Sequence, residues 1–484
     1  MQNTLSARAV IGLDVLIDDP DILKPATEAP KVAEELYIPL GYKSSIMRYD
    51  HERSNRGDAC RELEYYLPIL LTLSEPNGEY HTTKLKNGTL VHFTEVEGSP
   101  NPKSSKDQAI ALAKKLMAEN PDGLKILASH RKLVLLSASN FIPYSVIEPR
   151  VYTGRRKVIL PADCATMWYS KQGTPEDAWL SYIDSTPLNP NEYIEFQPEY
   201  TDGEEGGHLH VENIGRCSFD RATGKKTVIP LAYTHPRHKA YHRIFPKTPV
   251  QAMMFDALLA PVEEIPMVMF PGIAGSGKTF CSVSAGLSEI ELENYDHFFV
   301  VKSESTLGRD HGFLPGNLVN KILPLGASVV NALRATLELR DQDNRPGYKE
   351  KSGDASGINF SENPLGITPL MQSYLDNYFQ FMPLRFIKGM SVPNAILYFD
   401  EAQDFNRDQI TELMTRCGEG SKLIFTGDPA QSDFASMSGS FSGLDYVARR
   451  LSRADYVAIV RPNDAESCVR SYLVRRILGD IGHF

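Results

Sequence analysis

Met267-Val268-Met269-Phe270-Pro271-Gly272-Ile273-Ala274-Gly275-Ser276-Gly277-Lys278-Thr279-Phe280 is the stretch whose reading decides the fold. Four apolar residues of strand type run into G-x-x-x-x-G-K-[ST], Gly272 to Thr279, which is a full phosphate-loop pattern in its strand-to-helix setting. Glycines let the backbone curl so that successive N–H groups face the α- and β-phosphates, and the following helix presents its positive end. Lys278 is placed to reach the β- and γ-phosphates and the Thr279 hydroxyl to sit on Mg²⁺. The expected nucleotide-contacting run is Gly272, Ile273, Ala274, Gly275, Ser276, Gly277, Lys278, Thr279 and Phe280.

Working outward, short apolar runs recur between longer helical stretches: Phe298 to Val301, Ala395 to Phe399, Leu423 to Phe425 and Tyr456 to Val460. Strands apolar on both faces belong inside a doubly wound parallel sheet, so an α/β fold is expected for residues 246–484. The run ending at Phe399 delivers Asp400-Glu401-Ala402-Gln403 to a strand's C-terminal end, where such sheets bind ligands. Asp400 is assigned to Mg²⁺ through water. Glu401 is assigned to orient and deprotonate an attacking water, the pairing of a hydrolase. Arg340 to Pro364, crowded with Asp, Lys, Gly and Ser, reads as an exposed loop.

A third strand runs into Thr426-Gly427-Asp428-Pro429-Ala430-Gln431. Phosphate loop, DEAQ and GDPAQ in this order resemble the nucleotide site of superfamily 1 helicases, in which the last Gln, here Gln431, senses the γ-phosphate. Gly312-Phe313-Leu314-Pro315-Gly316, Pro383 to Gly389, Thr415 to Gly420 and Ser442-Gly443-Leu444 narrow the resemblance to the PhoH-family ATPases, over about 240 residues. The resemblance implies that Lys278, Thr279, Asp400, Glu401, Gln403 and Gln431 form an ATP and Mg²⁺ site, with Gln251 as the upstream Gln that reads adenine. It implies that Arg416 and Arg470 stabilise γ-phosphate charge, across a subunit boundary in a homo-oligomer such as a hexameric ring; the other reading of Arg416 is a helix C-terminal charge. The family's Thr-Arg-Pro stands here as Val301-Lys302-Ser303, its Tyr-Ile-Arg-Gly as Phe386-Ile387-Lys388-Gly389, and its Gly-Glu-Asp as Gly308-Arg309-Asp310. Lys keeps the charge of Arg and loses its bidentate fork.

Residues 1–150 read as a smaller α/β domain: a strand over Arg8 to Ile17, a helix over Asp58 to Leu73, a helix capped by Ser105-Lys106-Asp107-Gln108, and a strand over Leu124 to Ala128. Val15 to Pro20 with Ile38-Pro39 resembles the opening of a PIN domain, a metal-dependent nuclease module. Its first acid position falls at Gly12 with Asp14 two residues on, Asp107 matches the third acid, and Gly41 to Ile46 and Ala128 to Arg131 supply no match for the others. A degenerate, non-cutting fold is expected, with Asp14, Asp18, Asp19 and Asp107 as candidates should it cleave.

Between the two, residues 151–245 read as a charged accessory segment. From Gln172 to Gly215 there are ten acids and no Lys or Arg; from Arg221 to Phe255 there are seven bases and no acid. The basic run interleaves Tyr233, Tyr241, Phe245 and Phe255, which suits single-stranded nucleic acid, RNA first; a solvated linker and a wrap around adenine are the other readings. Across the whole chain of 484 residues the net charge is −10 and 42% of residues are hydrophobic, which excludes a disordered or fibrous protein. No apolar run approaches the roughly 18 residues of a membrane span, so no membrane partner is expected. Six scattered cysteines without a C-x-x-C pair suit a reducing cytoplasm. The expected function is Mg²⁺-dependent ATP hydrolysis coupled to binding or unwinding of RNA or single-stranded DNA. The alternatives are an ATP-gated PIN ribonuclease and a nucleotide-switched binding module.

Overall fold

A computed structural model describes residues 6–18, 20–23, 32–42, 46, 56–96, 101, 104–128, 131–146, 153–160, 174–175, 188–198, 213–302, 326–341, 367–387, 391–431, 443–464, 467–469 and 476. Asp19, most of the Arg340 to Pro364 loop, Ser303, the 308–310 and 312–316 motifs, Lys388-Gly389, Ser442 and Arg470 lie outside them. The chain forms two compact units, residues 1–151 and 152–484.

The first unit is built on a seven-stranded sheet in the order Glu75–Asn77, Tyr80–Lys84, Leu90–Thr94, Ala33–Pro39, Ser6–Ile11, Leu124–Ala128, Tyr144–Val146. The first two junctions are antiparallel and the remaining four parallel. Alternating side chains fill opposite faces: Ala9 and Ile11 join Leu63, Leu67 and Leu70 of the helix Arg56–Thr72, whereas Val10 joins Leu112 and Leu116 of the helix Ser105–Glu119. Two local expectations are corrected. The first strand stops at Ile11, and Leu13–Asp18 is a helix. A Cβ at Gly12 would lie 3.0 Å from the Leu127 carbonyl and 2.6 Å from the Leu133 side chain, so the chain turns where the residue has no side chain. The apolar run Val15-Leu16-Ile17 fits either period and does not reveal the switch. The second helix starts after Ser104, as read from the sequence, but its cap is Ser104 itself, whose Oγ accepts from Asp107 N at 3.3 Å, and not Ser105.

The second unit holds two sheets. Six parallel strands run in the order Phe379–Pro383, His297–Lys302, Ala395–Phe399, Lys422–Gly427, Met267–Pro271, Val457–Ile459. Val268, Val300, Tyr398 and Ile424 enter one core, and Met269, Val301, Phe399 and Phe425 enter the other, so both faces are covered as in a doubly wound fold. The edge strand Phe379–Pro383 was not anticipated, because its Gln380 and following Pro383 weaken the strand signal. All but the first residue of the 151–245 segment lie in this unit, which gains from it five strands in the order Arg155–Leu160, Tyr193–Pro198, Ile214–Phe219, Lys226–Pro230, Thr174–Pro175. Glu192 pairs with Arg156 at 2.6 Å and Glu195 with Arg155 at 3.7 Å, so these two acids of the acidic run face a neighbouring strand. Lys422, fully buried, donates to the carbonyls of Ala257, Leu258 and Ala260 at 2.7–2.9 Å and completes the C-terminal end of the helix Pro249–Leu259.

Candidate nucleotide site

The strand Met267–Pro271 ends beside Gly427, whose carbonyl accepts from Gly272 N at 2.9 Å. Gly275 and Gly277 take left-handed φ values of +83° and +89°, which a side chain would oppose, and the helix Lys278–Glu291 starts immediately after. The loop is fastened from a second direction. Ile273 N donates to Pro462 O at 2.9 Å and Val469 N to Gly275 O at 3.0 Å, so the segment after the last strand straps the outside of the curl. Asp464 on that strap is paired with Arg155 of the accessory sheet. The strap is a feature that sequence reading missed, since hydrogen bonds made through backbone atoms leave no residue signature.

Lys278 is buried and folds back on the loop, its Nζ donating to the carbonyls of Gly272 and Ile273 at 2.7 Å each. Those carbonyls hold the ammonium against the backbone of the loop. Gln251, also buried, has both ends of its carboxamide engaged: Oε1 accepts from Lys247 N at 2.8 Å and Nε2 donates to Ser276 O at 3.1 Å. It therefore ties the start of the helix Pro249–Leu259 to the phosphate loop. Phe280 packs against the apolar core.

Asp400 follows the strand Ala395–Phe399 and is 3% exposed. Oδ2 accepts from Lys302 Nζ and Ser328 Oγ, each at 2.6 Å; Oδ1 accepts from Tyr398 OH at 2.9 Å and Thr426 Oγ1 at 3.3 Å. Burial by itself would push this carboxyl up, but the Lys302 ammonium and the hydrogen bonds from Lys302, Ser328 and Tyr398 outweigh it and hold it below the usual carboxylate range. The Tyr398 hydroxyl also lies within electrostatic reach of Thr279, so the two residues assigned to Mg²⁺ flank one phenol. Both offer hard oxygen donors of the kind that Mg²⁺ takes. Lys302, Ser328 and Tyr398 were not singled out from sequence as parts of this site. Tyr398, a polar tip two residues before the acid in an otherwise apolar strand, was the available signal.

Glu401 adopts φ +54°, a left-handed conformation that few non-glycine residues take and that is met at functional turns. Its Oε2 accepts from Gln403 Nε2 at 2.9 Å, Gln403 Oε1 accepts from Asp428 N at 3.0 Å, and Asp428 Oδ2 accepts from Ala274 N at 3.0 Å. The DEAQ turn, the GDPAQ turn and the phosphate loop are thus one hydrogen-bonded relay. A Cβ at Gly427 would lie 2.3 Å from Gln403 Oε1, which explains the glycine in the middle of it. Gln431 ends the 3₁₀ turn Pro429–Gln431 with its side chain exposed and its N–H on Asp428 O at 2.9 Å. Arg416 stands just past the helix Arg407–Met414, with its guanidinium 3.8 Å from Glu412.

The basic stretch divides. Tyr241 and Phe255 are core residues, 1% and 0% exposed. Arg237 pairs with Glu289 and lies 5.4 Å over the Tyr233 ring, and Arg221 pairs with Asp455 at 2.7 Å. Phe245 remains 61% exposed, 5.8 Å from His235, with Lys239 and Lys247 exposed on the same short segment. In the first unit the Asp14 carboxylate fills the space of the missing Gly12 side chain: a Cβ there would be 2.2 Å from its Oδ1. Likewise the carboxamide of Gln108, 3% exposed, lies 2.4–2.7 Å from where a Gly41 Cβ would be, so the buried polar group reaching that position is neutral. Among the described residues no group of three or more His, Cys, Asp or Glu side chains converges on a metal position. Nor is any described helix long and apolar enough to cross a membrane.

The sequence profile described as PhoH-like protein matches residues 243–481. Protein PhoH2 of Bacillus subtilis is 33% identical over 461 residues, covering 91% of this chain and 92% of that protein. Protein PhoH of Escherichia coli is 28% identical over 221 residues, 46% of this chain and 54% of that one. Among solved structures, a large terminase from a thermophilic bacteriophage aligns with 46% of this chain and 48% of its own at 16% identity and a TM-score of 0.27, too slight a likeness to bear on fold or function.

Proposed function

The chain belongs to the PhoH family, and from that membership and the site's geometry we propose that it is a Mg²⁺-dependent ATPase that couples hydrolysis to binding and remodelling of RNA, with single-stranded DNA as the second candidate. The observation that carries the reading is the convergence of Thr279 and Asp400 on the Tyr398 hydroxyl, beside a phosphate loop joined through Asp428 and Gln403 to Glu401. In this reading the Lys278 ammonium leaves the Gly272 and Ile273 carbonyls for the β- and γ-phosphate oxygens. Thr279 and Asp400 would hold Mg²⁺, which would supply charge neutralisation to the triphosphate. Glu401, held by Gln403, takes a proton from the attacking water, and Gln431 stands at the γ-phosphate side. Arg416 adds positive charge as the bond to the leaving phosphate breaks, within a homo-oligomer. The strap through Val469 and Asp464 gives the accessory sheet a direct line to the loop, a route by which a polymer bound there changes turnover.

The test is steady-state ATP turnover with and without single-stranded RNA and DNA, run beside a gel for cleavage products. Stimulation by RNA without cleavage supports the proposal; turnover indifferent to both polymers removes the coupling, and absence of turnover removes the ATPase.

A further inference from the structure

Lys302 is the last residue of its strand, and the parallel register that sets Val301 beside Phe399 brings Lys302 level with Asp400. Its Nζ is 2.6 Å from Asp400 Oδ2, with the two residues 5% and 3% exposed. An ionised carboxylate offers about four lone-pair positions; Lys302 and Ser328 donate to Oδ2, and Tyr398 and Thr426, 2.8 Å from each other, face Oδ1. Oδ2 of the carboxylate assigned to the metal therefore already carries two donors, one of them a cation.

We propose that the Lys302 ammonium occupies the Asp400 carboxylate in the nucleotide-free protein and is exchanged for Mg²⁺ when nucleotide arrives, so that Lys302 keeps the empty site's metal affinity low. The inference rests on the nucleotide-site reading above. Mg²⁺ demands a near-octahedral set of oxygens, directly or through its waters, so at least one donor must leave Asp400. Ser328, Tyr398 and Thr426 are neutral and can remain as neighbours while their O–H bonds turn. Lys302 cannot, because two cations on one buried carboxylate repel in a medium of low dielectric. It also sits on a flexible four-carbon stem, whereas a tyrosine hydroxyl is fixed to its ring. What the displaced ammonium then needs is a new anion. The triphosphate bound at Lys278 provides one at the same C-terminal end of the sheet, and metal alone provides none. Exchange is thus favourable with Mg²⁺ and nucleotide together and unfavourable with Mg²⁺ alone.

Mn²⁺, followed by electron paramagnetic resonance, is the probe, titrated into the full chain with and without a non-hydrolysable ATP analogue. Lys302→Met should bind Mn²⁺ at least tenfold more tightly than the parent in the absence of nucleotide, and the gap should shrink once the analogue is present. Asp400→Asn on top of Lys302→Met should abolish the gain. Equal nucleotide-free affinities for Lys302→Met and the parent overturn the exchange and leave the ATP site standing. A parent chain that binds neither analogue nor Mn²⁺ with it overturns the nucleotide reading and the exchange with it. If Lys302→Met does not fold, Lys302→Arg decides: its fork holds the carboxylate more firmly, so Mn²⁺ affinity with the analogue should fall at least threefold, and an unchanged affinity overturns the idea.

Discussion

Arg216 and Asp256 meet at 2.8 Å with neither side chain more than 1% exposed, and they join the accessory sheet to the helix that carries Gln251. Asp256 also accepts from Tyr193 OH at 3.1 Å and from the backbone N–H groups of Ala232 and Tyr233 at 3.0 and 3.2 Å. Arg216 reaches Asn191 at 3.0 Å and Glu264 at 2.5 Å as well. Removing one partner of such a pair strands a buried charge, so Arg216→Met should destabilise the protein by about 3–5 kcal/mol. Adding Asp256→Asn should recover part of that loss, because the stranded charge goes with it. Chemical denaturation of both variants checks the sign, and a fully additive pair would show that the two side chains are not coupled.

At the nucleotide site, Lys278→Ala should abolish ATP binding, whereas Glu401→Gln should keep binding and lose hydrolysis by at least about a hundredfold, the lower end of the usual contribution of a general base. In the proposed reading Lys278 meets phosphates in the ground state, and it already holds the Gly272 and Ile273 carbonyls, so its loss removes both sets of contacts. Glu401 is assigned to the water, and its carboxylate is held by Gln403. Wild-type turnover from Glu401→Gln would remove the assignment.

What was legible in sequence and what was not follows from the physics of each part. The phosphate loop and the strand ending at Asp400 are local patterns, apolar runs delivering fixed residues to strand ends, and the six-stranded sheet places both. The donors to Asp400 come instead from three other segments, Lys302, Ser328 and Thr426, which sequence spacing cannot bring together. The basic stretch shows the same limit from the other side. Charge and aromatic content there are real, yet Arg237 is taken by Glu289 and Tyr241 by the core, because partners 50 residues away decide which side chains stay free. The helix Leu13–Asp18 was hidden for a different reason: a glycine turn between two apolar runs reads as one strand.

Arg416 can be tested for action across a subunit boundary by mixing. If it acts in trans, an inactive Arg416→Ala protein should regain partial turnover with an excess of Lys278→Ala subunits, since each supplies what the other lacks. Sedimentation of the same samples reports the assembly, and a strictly monomeric, active enzyme would end this reading.

The first unit should not cleave RNA. Asp14 fills the place of a Gly12 side chain, the neutral Gln108 fills the place of one at Gly41, and among the described residues no three His, Cys, Asp or Glu side chains converge, where two-metal hydrolysis needs three or four carboxylates. Incubation of labelled RNA with Mn²⁺ and the full chain should leave it intact. Cleavage that disappears in Asp107→Asn would restore the ribonuclease alternative.

The last prediction separates the two halves of the basic stretch. Phe245, Lys239 and Lys247 are exposed, and Phe245 offers a ring face 61% open beside His235. If single-stranded RNA runs there, a base stacks on Phe245 at about 1–3 kcal/mol and phosphates meet the lysines. Phe245→Ala should then weaken RNA binding about tenfold at every salt concentration, because stacking releases no counterions. Lys239→Ala with Lys247→Ala should weaken it mainly at low salt and flatten the dependence of log affinity on log salt by about 0.7 per lost contact. Arg237→Ala should behave differently, lowering thermal stability through its loss from Glu289 and Tyr233 while leaving the salt slope unchanged. Binding isotherms for the three variants across a salt series decide the matter. A parental isotherm for Phe245→Ala, or a slope that moves with Arg237 and not with the lysines, would place the RNA elsewhere on the chain.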